Sequence, residues 1–110
     1  MVEARLHTPD QALVIEQQDD GGGTVVVAVA GDIDQVTRHQ FAEAVDEAVD
    51  RARRVELDLS EVSFMDSAGI NALVQCYAAA EQRGRALTVV HPQPGVRRVL
   101  DICGLLDVLG

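Results

Sequence analysis

A chain of 110 residues, 47% of them apolar, is one domain that can bury a core without help from disulfides or metal. Its net charge of −9, from 18 acidic and 9 basic residues, excludes partners bound by phosphate neutralisation, whether nucleic acid or an anionic membrane surface. All nine basic residues are Arg, which excludes chemistry that needs a lysine amine, such as a Schiff base or a P-loop lysine.

Residues 1–12 contain no apolar signal stretch and are expected to form a flexible lead into the domain, which occupies the rest of 1–110. No apolar run reaches the roughly 18 residues that span a bilayer, so the expectation is a soluble, cytoplasmic protein with no membrane insertion. Leu13–Gln17 mixes apolar and polar residues as a half-exposed strand does. Asp19-Asp20-Gly21-Gly22-Gly23 is a turn, and Thr24–Ala30, a Val/Ala run, is a buried strand that closes a hairpin with the first.

Gly31-Asp32-Ile33-Asp34 interrupts that pattern. A helix is expected from Thr37, where Thr37-Arg38-His39-Gln40 fits a capping box. Phe41, Val45, Ala48, Val49 and Ala52 form its inner face, opposite Glu43, Asp46, Glu47 and Asp50. Val55–Leu59 alternates as a third strand, and Ser60–Asp66 reads as a loop. A second helix covers Ala68–Arg83, with Ile70, Leu73, Val74 and Tyr77 inward and Gly84 as its stop.

Ala86–His91 is the fourth strand, and Pro94-Gly95 opens a helix carrying Val96, Val99, Leu100 and Cys103 up to Gly104. Leu105–Leu109 fits one last short strand. Cys76 and Cys103 lie among apolar residues, outside any CxxC pair, and read as buried free thiols. The order β-β-α-β-α-β-α, with an optional final β, implies an α/β domain. Its mixed, mostly parallel sheet of four to five strands has helices packed against it through right-handed crossovers.

Chemistry concentrates at the mouth of the second helix. Asp66 and Ser67 stand where capping residues belong, and Gly69 lets another backbone approach closely. A serine there lies at the positive end of a helix, whose free N–H groups accommodate an added phosphate. On local sequence alone a plain cap is the better explanation of the pair, since Ser and Asp are common capping residues. A serine hydrolase would need a base, yet His7, His39 and His91 fall in other segments and no Gly-x-Ser-x-Gly elbow is present. The acidic pairs Asp19-Asp20 and Asp32/Asp34 have no metal-ligand spacing, so neither a metal nor any other cofactor is expected.

Asp58-Leu59-Ser60, followed by Val62, Phe64 and Asp66-Ser67-Ala68-Gly69-Ile70, resembles the signature of the STAS family, and most closely that of its anti-sigma factor antagonists. Gly31-Asp32-Ile33-Asp34 resembles the Gly-Glu-Leu-Asp segment of those proteins, and Val96–Leu105 resembles their last helix. The resemblance implies a regulator without catalytic activity. It would bind an anti-sigma factor that is also a serine kinase, free a sigma factor, and be switched off by phosphorylation of Ser67. A separate phosphatase would reset it. Asp32, Asp34, Asp66, Ser67, Ala68, Gly69 and Asn71 are the implied contact residues, with Ala68 where the usual motif has a second serine. The same fold also serves as a scaffold subunit of stress-signalling complexes and as an accessory subunit of lipid or anion transporters.

Overall fold

The computed structural model describes residues 12–110. The expected N-terminal lead, apart from Ala12, and His7 lie outside the described residues. In chain order the elements are β1 (Val14–Asp19), β2 (Thr24–Ile33), α1 (Arg38–Arg51), β3 (Arg54–Met65), α2 (Ser67–Gln82), β4 (Ala86–Val90), α3 (Pro94–Ile102) and α4 (Leu106–Leu109). The four strands form one sheet in the order β1-β2-β3-β4. β1 pairs antiparallel with β2, and the other two pairs are parallel.

Alternation places Val25, Val27 and Val29 of β2, Val55, Leu57 and Leu59 of β3, and Leu87 and Val89 of β4 on one buried face. Phe41, Val45, Ala48 and Val49 of α1, Leu73 of α2, and Val96 and Leu100 of α3 join them in a single aliphatic core. The inner face of α1 is the one its periodicity predicts. Among the described residues, no helix is long and apolar enough to cross a membrane.

Five sequence expectations are corrected. The loop expected at Ser60–Asp66 is strand up to Met65, because β2 also runs on to Ile33 and supplies the partner. Two irregularities hide this from the pattern. Ala28 pairs with Asp58 but Ala30 with Glu61, and Gly31 pairs with Val62 but Asp32 with Phe64, so β3 takes up an extra residue twice. Its buried positions then move to Val62 and Met65.

The capping box at Thr37 is not formed. The Thr37 hydroxyl is buried; it donates to the Asp32 carbonyl (2.7 Å) and accepts from the Asp34 N–H (3.0 Å), which satisfies it without the helix. Gln40 instead pairs with both backbone groups of Leu13, at 2.8 and 2.9 Å. The last expected strand is the helical turn α4, whose Leu109 N–H bonds the Leu105 carbonyl while its side chain is buried. Cys76 is buried as expected, but Cys103 is exposed, because it follows the end of α3.

Finally, α2 is rotated relative to its expected face. Leu73 is buried, but its buried companions are the small residues Gly69, Ala72, Cys76 and Ala80. Val74 is exposed, and Ile70 and Tyr77 are half-buried. Small residues let the helix sit close to its neighbours, and the larger apolar ones are left on its flank.

Candidate functional site

The carboxyl ends of β2 and β3 and the amino end of α2 meet at one edge of the sheet, where open α/β sheets usually bind their ligands. Asp66 keeps an extended backbone (φ −95°, ψ −173°) as the residue that caps α2, and its Oδ1 accepts the Gly69 N–H at 3.0 Å. The Asp66 N–H donates to the Ile33 carbonyl at 3.2 Å, tying the helix mouth to the end of β2. Gly69 is buried against the same segment. A Cβ added there would overlap the Ile33 carbonyl oxygen and lie 2.9 Å from Met65 Cγ. Here the motif glycine is a requirement of packing.

Ser67, the first residue of α2, is exposed, and Ala68 beside it is half-buried. Its N–H and that of Ala68 belong to the helix's first turn and have no acceptor within the helix. Both residues line an open groove of about 660 Å³ between the α1 entry loop, α2 and α3. Ile70 and Val74 give that groove one apolar wall and Val99 the other, with Cys103 and Asn71 at its margin. Two of the residues that the rotation of α2 turns towards its flank, Ile70 and Val74, therefore shape the groove.

Asp32, near the end of β2, and Asp34, just after it, are close to this edge but differ in availability. Asp32 is exposed, and its Oδ1 accepts the Ser63 hydroxyl at 3.1 Å. Asp34 Oδ1 accepts the N–H groups of Val36 (2.9 Å) and Thr37 (3.1 Å). It thereby caps the turn leading into α1, the task the sequence suggested for Thr37. Asp34 thus shapes the turn, while Asp32 stays exposed at the surface. Sequence reasoning missed two exposed apolar side chains, Phe64 (51% exposed) at the end of β3 and Val36 (65% exposed) in the turn before α1. Their apolar character was visible, but the exposure of Phe64 depends on the bulged register of β2 and β3. Arg38, which also lines the groove, was missed as well.

The STAS family model described as "Mlab, STAS domain" matches residues 16–110. The anti-sigma F factor antagonist of Paenibacillus polymyxa is 30% identical over 87 residues, covering 77% of this chain and 74% of the relative. Among solved structures, an anti-sigma factor antagonist from Mycobacterium paratuberculosis matches with a TM-score of 0.78 and 30% identity, over 93% of this chain and 86% of that one. The Bacillus cell fate determinant SpoIIAA in its phosphorylated form shares the fold, with a TM-score of 0.66 at 22% identity over 88% and 89% of the two chains. With this fold, this helix mouth and these relatives, the chain belongs to the STAS domain family.

Proposed function

We propose that the chain is an anti-sigma factor antagonist that binds an anti-sigma factor with serine kinase activity, frees a sigma factor, and is released when Ser67 is phosphorylated. The observation that carries this is the exposed Ser67 at the first position of α2, on the rim of a groove with apolar walls. The unmodified surface offers the partner Asp32, Ser67, Ala68 and Asn71, with Asp66, Asp34 and Gly69 holding the backbone in place behind them. In the switching step the Ser67 Oγ attacks the γ-phosphorus of the ATP held by the kinase. ADP leaves, and the hydroxyl proton passes to a base of the kinase or to water.

The product carries about −1.5 to −2 additional charge beside the Asp66 carboxylate. Repulsion and phosphate desolvation then weaken the complex while the core stays untouched, and each 1.4 kcal/mol lost lowers affinity about tenfold. The chain is the kinase's substrate and not itself an enzyme; no histidine is among the described residues that line the groove, so Ser67 has no imidazole base there. A phosphatase resets the switch, and the whole cycle runs in the cytoplasm.

The test is incubation with ATP and the anti-sigma kinase of the same genome, followed by mass-spectrometric mapping. Phosphate is expected on Ser67 and lost in Ser67→Ala. Phosphate elsewhere, or co-purification with a membrane ATPase in place of a kinase, would favour the transporter-subunit reading.

A further inference from the structure

Arg38 opens α1 and lines the same groove as Ser67. Among the described residues lining it, Arg38 is the one cation and Asp66 the one anion, and Asp66 already accepts the Gly69 N–H. The Arg38 Nε is buried with no acceptor among the described residues. No ion pair among them includes Arg38; the exposed pair they do form, Arg83 with Asp50, lies on other parts of the helices.

A guanidinium N–H withdrawn from water without an acceptor is costly, and an oxyanion is the acceptor its fork geometry suits best. The unmodified chain supplies none in the groove beyond the engaged carboxylate of Asp66. A phosphate on Ser67 would supply three oxygens and a charge of opposite sign. We propose that Arg38 receives the phosphate of modified Ser67, holding it within the chain's own groove. The inference rests on the reading of Ser67 as the modified residue. It adds a second element to the switch, because pairing with the phosphate also withdraws the groove's cation from the anti-sigma factor.

The test is made independent of any kinase by installing phosphoserine at position 67 of the full chain through codon suppression. The phosphorus-31 resonance is then titrated in the parent, Arg38→Gln and Arg38→Lys. Asp66 is the other charged group facing the phosphate and is the same in all three. The second phosphate ionisation, ordinarily near pH 6, is expected to fall below that value in the parent. In Arg38→Gln the proton affinity should rise about threefold, the size of a partly exposed charge pair, with Arg38→Lys in between.

If Arg38→Gln does not fold, the Arg38 Nε–Hε proton-nitrogen signal of the parent decides alone. It should move on phosphorylation, and an unmoved signal overturns the proposal. So does an identical titration midpoint in the parent and Arg38→Gln. Failure of the kinase to modify Ser67 would instead count against the reading of the switch and leave the phosphate pairing to be judged by these spectra.

Discussion

At Gly69 a hydrogen in place of a methyl group decides where α2 can lie. Gly69→Ala would gain intrinsic helix propensity, but its Cβ would run into the Ile33 carbonyl and Met65. The clash should dominate and cost about 1–3 kcal/mol, read as a lower urea midpoint. Two turns further along α2, Cys76 is a buried thiol whose pKa is pushed from 9.0 up to about 12, first by burial and then by the charge of Asp46. A raised folded-state value means that the thiol's contribution to stability is fully present below about pH 9 and lost as pH rises towards 12. In the native protein Cys103, which is exposed, should therefore alkylate readily while Cys76 stays unmodified, as peptide mapping after iodoacetamide treatment can check.

Among the elements, the β2–α1 connection shows most clearly what sequence can and cannot supply. The break at Gly31–Asp34 and the start of a helix near Thr37 were legible from composition and periodicity. The division of labour was not, because Asp34 and Thr37 are both good capping residues and only the burial of Thr37 settles which one caps. Thr37→Val keeps the volume but leaves the Asp34 N–H and the Asp32 carbonyl without this partner. A loss of about 1–3 kcal/mol is expected in thermal or urea unfolding. The core face of α1 was legible because its apolar spacing is regular. The end of β3 was not, because two extra residues destroy its alternation, and the α2 face was misread because large apolar side chains outweigh Gly and Ala in any reading by hydrophobicity.

For the molecule as a whole, helices cover one face of the sheet and the proposed switch residue, Ser67, sits at the edge where β2, β3 and α2 meet. Asp66-Ser67-Ala68-Gly69 was legible as a candidate site because a helix mouth and a family motif coincide in four consecutive residues. The groove was not, since it is built from α1, α2 and α3, whose spacing no local pattern records. Under the proposed switch, a chain already at −9 would gain further negative charge at its contact surface.

The decisive measurement is calorimetric titration of the anti-sigma kinase with the unmodified chain and with the chain phosphorylated at position 67. An affinity at least about tenfold weaker for the phosphorylated chain, a change of 1.4 kcal/mol or more, is the expected result. Equal affinity for the two forms would contradict the account.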